Sequence, residues 1–325
     1  MRIFLAPMEG VIDHHFRTIY SDIGGVDICV SEFLRVNDLP ISEKTLLRDC
    51  PELSRIGLSA TPNGTPVRVQ LLGSNAETLA ESAAIAAALG ASAIDLNFGC
   101  PAKTVNNSKG GAVLLKEPAR VHDIVSLVRQ AVPSHTPVTA KIRLGFEERD
   151  LYLENANAIA DAGANELCVH ARSKADGYKP PAYWKCIGEI IDVINIPVVA
   201  NGEMWNIRDW QQCKEESGCN DFMLGRGLVA CPDLALQIKA HNEQSDYQPL
   251  VWSDILNLLN RFYYDTKDAY PVRFLGNRVK QWLFYLKMHY PEATPFFEQI
   301  KRYKQPHEFE SILGVDLNRS VKSSA

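Results

Sequence analysis

The stretch Ala93-Ile94-Asp95-Leu96-Asn97-Phe98-Gly99-Cys100-Pro101 joins a short apolar run to a cysteine that stands between glycine and proline. The run is typical of a buried β-strand, and the residues around the cysteine predict a mobile loop at the carboxyl end of that strand. Enzymes built as β/α barrels carry their reactive groups at this end of their strands. The stretch therefore predicts a barrel strand and makes Cys100 a candidate functional residue.

Short apolar runs alternate with helix-type segments from residue 3 to about residue 240. One such segment is Pro118–Ala131, in which Pro118 has the position of a first-turn residue. Eight alternations within ~240 residues favour a closed α/β fold, the (β/α)8 TIM barrel, over an open sheet. We predict its strands at Ile3–Ala6, Asp27–Val30, Val67–Leu72, Ala93–Asn97, Val138–Arg143, Glu166–His170, Pro197–Ala200 and Asp221–Leu224.

The pattern changes after about residue 243. Three amphipathic helices are predicted there with no apolar strand run between them, at Trp252–Thr266, Gly276–His289 and Thr294–Tyr303. We therefore predict a TIM-barrel catalytic domain at 1–242 and a small all-helical domain at 243–325. Residues 261–304 carry nine basic and four acidic side chains, a local charge of +5 in a chain of net charge −5. This asymmetry indicates an anionic partner, and a solvated helix surface explains it equally well.

The amino-acid composition limits the classes of protein to which this chain can belong. The chain is 46% hydrophobic and 22% charged, which is typical of a globular protein with a sizeable core. No apolar run approaches the ~18 residues of a membrane span. The apolar stretch at the beginning of the sequence is too short for a signal peptide. Eight cysteines include no C-x-x-C pair, so the spacing of a metal site is missing. We expect a cytoplasmic, monomeric protein without a structural metal or a membrane partner.

Polar or conformationally special residues stand where the predicted strands end, and a barrel would bring them to one mouth. Gly225-Arg226-Gly227 follows the last strand, where backbone amides and a guanidinium can hold a phosphate ahead of a helix expected near Pro232. Ordinary turns use the same residues, so a phosphate site and a plain turn remain equal alternatives. The other strand-end residues are Pro7, Met8, Glu9, Gln70, Asn97, Cys100, Lys141, Arg143, His170, Arg172, Asn201, Gly202 and Glu203.

Lys141 and Cys100 each allow more than one interpretation. A lysine inside the barrel needs a partner, because burying an unpaired ammonium is costly. That partner is either an electron-rich ring or an internal carboxylate of Glu32, Asp95 or Glu203. Cys100 can be a structural thiol, a nucleophile or a general acid, and a thiol with an ordinary pKa near ~8.5 is protonated at neutral pH. The residues alone leave these alternatives open.

Taken together, the motifs resemble those of the tRNA-dihydrouridine synthases, flavoenzymes that reduce uridine in tRNA. They occur in the family's order: Ala6-Pro7-Met8, Asn97-Phe98-Gly99-Cys100-Pro101, Lys141-Ile142-Arg143, His170-Ala171-Arg172, Asn201-Gly202-Glu203 and Gly225-Arg226-Gly227. The resemblance covers the barrel and the helical tail. Within the family, the chain is most similar to the subgroup that acts on tRNA position 16, on the basis of Leu5–Val11, Ser31–Arg35 and Arg278–Leu283. Ala171, Ser173 and Glu203 are mild departures from the common family pattern.

The resemblance implies an FMN across the barrel mouth and NADPH as the reductant. It assigns FMN to Pro7, Met8, Glu9, Gln70, Lys141, His170, Asn201, Gly202, Glu203, Gly225 and Arg226. Hydride from the reduced flavin would reach C6 of uracil while Cys100 protonates C5. Asn97 would hold the uracil, which has to leave its stack. Contacts to the uridine or to the D-loop of tRNA are expected from Arg35, Asn97, Arg143, Arg172, Tyr178, Arg278, Lys280 and Tyr285.

Three rival functions remain open at this point. A dihydrouridine synthase for another D-loop position would share every motif of the barrel. An FMN-dependent reductase of a small pyrimidine would share the strand-end residues and would give no reason for a basic helical tail. A tRNA-binding module that uses the barrel as a scaffold would bind no flavin.

Overall fold

The computed structural model describes residues 1–54, 57–271, 274 and 276–314, and the structural statements below concern these residues. Their strands form one parallel barrel in the order β2-β1-β9-β8-β7-β6-β5-β4, and pairing of β2 with β4 closes it. The short strand β3 pairs with the far end of β4, so β2 and β3 act as one interrupted barrel strand. The bounds are β1 Ile3–Leu5, β2 Ile28–Val30, β3 Leu34–Arg35, β4 Val67–Leu72, β5 Ile94–Phe98, β6 Val138–Arg143, β7 Glu166–His170, β8 Val198–Asn201 and β9 Asp221–Leu224.

Helices follow the strands around the outside of the barrel and continue into a helical tail. Around the barrel they are α1 His14–Ile23, α2 Glu43–Asp49, α3 Ala76–Ala88, α4 Lys103–Asn107, α5 Pro118–Ala131, α6 Tyr152–Asp161, α7 Trp184–Ile191, α8 Ile207–Ser217, α9 Arg226–Ala230 and α10 Leu234–Glu243. In the tail they are α11 Trp252–Thr266, α12 Asn277–Leu286, α13 Ala293–Ile300 and α14 Pro306–Leu313. None of the helices in the described ranges is long and apolar enough to cross a membrane.

Local sequence explains why these helices begin and end where they do. In α5, Pro118 occupies the first turn, where a missing backbone N–H costs nothing. The buried side chains of α5, Val121, Ile124, Val125 and Val128, recur at the helical spacing and face the barrel. Capping residues flank α8, because the side chain of Asn206 accepts from the backbone of the first turn and Gly218 ends the helix in the left-handed conformation.

The predicted barrel is confirmed, with all eight strands within one or two residues of their expected bounds. The differences lie in the connections. A short helix, α9, begins directly after Gly225, so the helix expected near Pro232 is the second one of that connection. Between β2 and β4 the chain forms β3 and α2, and α14 extends the tail. Arg273 of the basic segment and residues 315–325 lie outside the described residues.

An aromatic cluster joins the tail to the barrel. The ring of Phe16 on α1 lies 4.4 Å from that of Phe262 on α11 and 4.9 Å from that of Trp282 on α12. All three side chains are buried, so the tail and the barrel share one apolar core at this contact. The predicted boundary at residue 242 falls at the end of α10, and the division into two functional domains stays a prediction.

Candidate active site

A cavity of about 530 Å³ opens at the barrel mouth, where the carboxyl ends of the strands converge. This volume lies in the range of sites for small molecules and cofactors. The structure brings sixteen of the predicted residues together in its wall: Pro7, Met8, Glu9, Gln70, Asn97, Cys100, Lys141, Arg143, His170, Tyr178, Asn201, Gly202, Glu203, Gly225, Arg226 and Tyr285. The wall therefore combines apolar surface with thiol, amide, imidazole and cationic groups.

Asn97 fixes the loop that carries Cys100. Its Oδ1 accepts hydrogen bonds from the backbone N–H groups of Gly99 and Cys100, both at 2.9 Å. Its Nδ2 donates to Oε1 of Gln70 at 2.8 Å. Because both loop partners are donors, the amide has to direct its oxygen toward them. This orientation leaves the second N–H of Asn97 available to a ligand.

A buried carboxyl group fixes the orientation of the Gln70 amide. Nε2 of Gln70 donates to Oδ2 of Asp95 at 2.7 Å, and the hydroxyl of Thr139 donates to Oδ1 of Asp95 at 2.6 Å. Burial raises the pKa of Asp95, and these two hydrogen bonds act in the opposite direction. Asn97, Gln70 and Asp95 thus form one chain of hydrogen bonds from the cysteine loop into the barrel interior.

The thiol of Cys100 is held in its protonated form. Burial raises the pKa of Cys100 above the ordinary value of a thiol, and Arg143 only partly offsets this effect. The carbonyl of Cys100 accepts from the backbone N–H of Ala112 at 3.1 Å and from Nδ2 of Asn106 at 3.0 Å. A Cβ atom on Gly111 would lie 2.9 Å from the same carbonyl, which explains the glycine there. A protonated thiol on an anchored loop suits a proton donor better than a nucleophile.

Lys141 finds its partner in an amide oxygen. Its Nζ donates to Oδ1 of Asn201 at 2.9 Å, and Nδ2 of Asn201 donates to the carbonyl of Met223 at 2.7 Å. None of the ion pairs within the described ranges involves Lys141, so the structure does not support the internal ion pair. Burial lowers the pKa of Lys141. Its ammonium faces the cavity, where an electron-rich group would stabilise it.

His170 carries an unsatisfied nitrogen. Nδ1 is buried and has no hydrogen-bond partner among the described residues, although it lies in the cavity wall. Burial and the cations Arg143 and Lys141 lower the pKa of His170 well below its ordinary value, so the imidazole is neutral. Gly202, at φ +114°, lets the next strand-end loop pass His170, because a Cβ there would lie 3.3 Å from Nε2. A buried polar atom without a partner in a cavity wall points to a ligand.

Glu203 organises two arginines from a strained position. Its φ of 60° is in the left-handed region, which non-glycine residues seldom adopt. Its carboxylate lies 2.6 Å from the guanidinium of Arg172 and 3.1 Å from that of Arg226, and it accepts from Nε1 of Trp205 at 3.1 Å. Burial works to raise the pKa of Glu203, and the hydrogen bonds from Arg172 and Trp205 lower it overall. Glu203 therefore stays ionised and holds Arg226 at the rim of the cavity.

Two cations flank the exposed ring of Tyr178 at the rim. The guanidinium of Arg226 lies 4.7 Å from its centroid and that of Arg143 lies 5.2 Å from it. Nε of Arg143 also donates to the carbonyl of Gly99 at 2.9 Å, and Nη1 donates to that of Gly177 at 3.0 Å. Arg143 thereby joins the cysteine loop to the loop that carries Tyr178.

Four of the predicted residues do not line the cavity. Arg172 is fully buried behind Glu203. Arg35 is exposed and donates to the hydroxyl of Ser108 beside the cysteine loop at 2.7 Å. Arg278 binds the loop after β1, and Lys280 donates to a carbonyl inside the tail. Their side chains therefore have protein partners of their own.

Sequence reasoning missed several residues of the wall. Phe33 lines the cavity beside the cysteine loop, and its position just after β2 was an available signal. Trp205 stands two residues after Glu203 and forms the second aromatic contact of Arg226, at 5.0 Å. Outside the wall, Glu32, which the sequence offered only as a partner for Lys141, accepts a hydrogen bond from the backbone of Gly10 in the loop after β1. Each lies within a few residues of a motif that the sequence did identify.

The family model for dihydrouridine synthases, Dus, matches residues 4–322 of the chain. The chain belongs to the dihydrouridine synthase family. Among curated family members, it is 50% identical over 316 residues to the tRNA-dihydrouridine(16) synthase of Pseudomonas putida, and the match covers 97% of each chain. A protein of the same name from Shewanella oneidensis is 49% identical, with 96% of this chain and 97% of that protein covered.

Solved structures support the architecture. An old yellow enzyme homologue from Zymomonas mobilis has a TM-score of 0.51 at 13% identity and covers 78% of this chain and 91% of that one. Histamine dehydrogenase from Rhizobium sp. 4-9 has a TM-score of 0.57 at 15% identity, and the match covers 75% of this chain and 46% of that one. At this level of identity the likeness concerns the fold alone.

Proposed function

We propose that this protein is an FMN-dependent enzyme that uses NADPH to reduce the C5–C6 double bond of uridine 16 in the D-loop of tRNA. One observation carries the proposal: the protonated thiol of Cys100 stands at a cavity of cofactor size in a chain of the dihydrouridine synthase family. The name tRNA-dihydrouridine(16) synthase, borne by relatives from Pseudomonas putida and Shewanella oneidensis, supports position 16.

The residues of the cavity fit an FMN. Nδ1 of His170, which has no partner among the described residues, and the Gln70 amide in the cavity wall suit the polar edge of a flat heteroaromatic ring. The ammonium of Lys141 suits an electron-rich part of the same ring, with Asn201 as its anchor. Arg226 beside Gly225 suits the phosphate, because a guanidinium binds phosphate oxygens in pairs. When bound, FMN supplies the hydride that is added to C6 of uracil.

Cys100 is the proposed proton donor. The buried thiol keeps its proton at neutral pH and has that proton to deliver to C5 of uracil as C6 is reduced. Asn97, Ala112 and Asn106 fix its loop by hydrogen bonds, so the position of Sγ is set before the substrate arrives. The raised pKa also opposes loss of the proton to water between turnovers.

The uridine has to leave its stack to reach this thiol. The second N–H of the Asn97 amide is available to donate a hydrogen bond to a carbonyl oxygen of the uracil. The exposed ring of Tyr178 and the half-buried ring of Tyr285 lie at the cavity wall, where they suit contacts with the displaced nucleotide and its neighbours. Arg35 is exposed near the cysteine loop and suits a phosphate of the same RNA strand.

The decisive experiment is in vitro reduction of an unmodified tRNA transcript by FMN-loaded protein and NADPH. Dihydrouridine is then located by mass spectrometry of nuclease fragments, with a reaction without NADPH as the control. We expect a mass gain of two hydrogens at position 16. A gain at another D-loop position would overturn the assignment of the target. No gain at any position, with a flavin that NADPH does reduce, would overturn the proposed activity.

A further inference from the structure

Side chains of helix α12 in the tail bind the loop that follows β1. The Arg278 guanidinium donates to the carbonyl of Gly10 through Nη1 and to the carbonyl of Val11 through Nη2, both at 2.7 Å. Nη2 also lies 2.8 Å from Oδ2 of Asp13. The same loop includes Met8 and Val11, which line the cavity. One tail side chain therefore fixes three points of a cavity-lining segment.

Two other tail residues bind the same loop. Nε2 of Gln281 donates to the carbonyl of Gly10 at 2.8 Å, and the hydroxyl of Tyr270 donates to Oδ2 of Asp13 at 2.7 Å. Burial works to raise the pKa of Asp13, but Arg278 and further hydrogen bonds lower it overall, so the carboxylate is charged. The bonds to Arg278 are thus charge-assisted, and such bonds are about twice as strong as neutral ones.

The same helix supports a second edge of the cavity. Trp282 is fully buried, and its Nε1 donates to the carbonyl of Val229 on α9 at 3.1 Å. The backbone N–H of Val229 in turn donates to the carbonyl of Gly225 at 3.1 Å. Trp282 is thereby linked through two hydrogen bonds to the Gly225-Arg226 corner of the cavity. One turn further along α12, Tyr285 lines the cavity itself.

These contacts come from one face of the helix. Arg278, Gln281, Trp282 and Tyr285 are spaced by three, four and seven residues, which is the spacing of a single helix face. Lys280 points elsewhere, since its ammonium donates to the carbonyl of Tyr303 inside the tail at 2.6 Å. The face toward the barrel is therefore used for loop contacts along the full length of α12.

We propose that α12 is a structural part of the cofactor site, in which Arg278 and Gln281 position the loop after β1 and Trp282 positions the loop after β9. The inference rests on the proposed function in one respect, because it takes the cavity to be the flavin site. A loop that is already ordered loses little conformational entropy when a ligand binds, so these contacts strengthen cofactor binding without touching the cofactor. The tail then has a role besides contact with RNA.

The test is the affinity of the full-length, flavin-free protein for FMN, measured by quenching of flavin fluorescence. Arg278→Met removes the guanidinium and keeps the aliphatic stem, and we expect the Kd for FMN to rise about tenfold through loss of charge-assisted hydrogen bonds. Gln281→Ala removes the hydrogen bond to Gly10 and also the acceptor for Nη1 of Arg278, and we expect a rise of about threefold. Arg278→Lys keeps the charge and should restore part of the affinity. Lys287→Met is the matched control, because it removes the same charge at the end of α12, where the ammonium lies over the ring of Phe297, and should leave the Kd within about twofold.

Two outcomes separate this inference from its rivals. If Arg278→Met and Gln281→Ala bind FMN like the unsubstituted protein, the inference is overturned. If Arg278→Met then weakens tRNA binding and lowers the salt slope of that binding by about 1, Arg278 is a phosphate contact instead. If the unsubstituted protein itself binds no FMN, the proposed function fails instead. Circular dichroism at the temperature of the titration verifies folding, and Gln281→Ala decides the matter should Arg278→Met not fold.

Discussion

The two ends of the barrel contain clusters of the same kinds of charged residue in different states of pairing. At the amino ends of the strands, Arg2 lies 2.7 Å from Glu166 and 2.6 Å from Asp221, and Arg68 forms a further ion pair with Glu166. The ring of Phe4 lies 5.1 and 5.0 Å from the two guanidinium groups. Two cations meet two carboxylates, so this end is complete without a ligand.

At the mouth of the barrel, the cations are not matched one to one by carboxylates. Lys141 binds the amide oxygen of Asn201, Arg143 binds backbone carbonyls, and Arg172 and Arg226 share the carboxylate of Glu203. The buried Nδ1 of the neighbouring His170 adds a polar atom that has no partner in the part of the chain that the structure describes. Pairing, and not composition, therefore separates the cluster that stabilises the barrel from the cluster that can bind an anionic, hydrogen-bonding ligand.

The largest expected effect comes from removing the proposed proton donor of the mouth. Cys100→Ala should lower dihydrouridine formation by about 10²- to 10⁴-fold, the range of a general acid, because C5 of uracil would lose that donor. FMN binding and thermal stability should change little. Single-turnover reduction of tRNA measures the effect, and Cys186→Ala, a substitution of a partly buried cysteine on α7, is the control. Turnover within a few-fold of normal would rule out Cys100 as the acid.

The next largest effect should come from the ion pairs at the amino ends of the strands, and it should change stability alone. Glu166→Gln leaves Arg68 without its carboxylate partner, and breaking a buried ion pair on one side costs about 3 kcal/mol. Urea unfolding measures this loss, and the Kd for FMN should stay unchanged under folding conditions. Glu215→Gln, at an exposed position of α8, should cost less than about 0.5 kcal/mol. A weakened FMN affinity in Glu166→Gln would contradict the separation of the two ends.

The converse substitution at the mouth should affect binding more than stability. Arg226→Ala removes the guanidinium at the proposed phosphate position, and a hydrogen bond to a charged group contributes about 1.5–3 kcal/mol. We therefore expect the Kd for FMN to rise about 10- to 100-fold, as read from a flavin titration. Arg208→Ala, on the exposed surface of α8, controls for loss of a positive charge. Equal affinities of the two variants would place the phosphate elsewhere.

The smallest effect concerns one carboxyl group of the mouth. Desolvation in the cavity and the nearby Glu32 raise the pKa of Glu9 to about 7 from an ordinary value of 4.5. The folded flavin-free protein therefore keeps a proton that the unfolded chain releases, so its stability should fall as the pH rises from about 5 to about 7. Glu9→Gln should flatten this slope in thermal unfolding, although only slightly, because Glu9 is exposed and solvent screens its charge. An unchanged slope in Glu9→Gln, with Glu215→Gln as the reference, would exclude this origin.

Much of the site was predictable because a parallel barrel brings all strand ends to one place. Locating the ends of β5, β6 and β8 was enough to bring Cys100, Lys141 and Asn201 to one mouth. The partners of these groups were not predictable. Lys141 could have faced a carboxylate of Glu32, and only the packed structure shows that it binds Asn201.

Arginines that look alike in sequence also differ in space. Arg172 and Arg226 each follow a barrel strand closely, yet Arg172 is fully buried and Arg226 lines the cavity. Both meet at Glu203, whose left-handed backbone directs its carboxylate between them. The spacing of these residues in the sequence could not predict this arrangement, because it depends on the paths of three separate loops.

The sequence by itself determined the barrel, the bounds of most strands, and most of the polar residues at the mouth. Those features follow from periodicities of two and 3.6 residues and from turn residues, which are local properties of the chain. The tertiary structure alone decided which groups are paired, which are left for a ligand, and that Arg278 binds a loop 268 residues away in sequence. The physical reason is that a hydrogen bond depends on distance and direction between side chains, and only packing of the whole chain sets these for residues far apart.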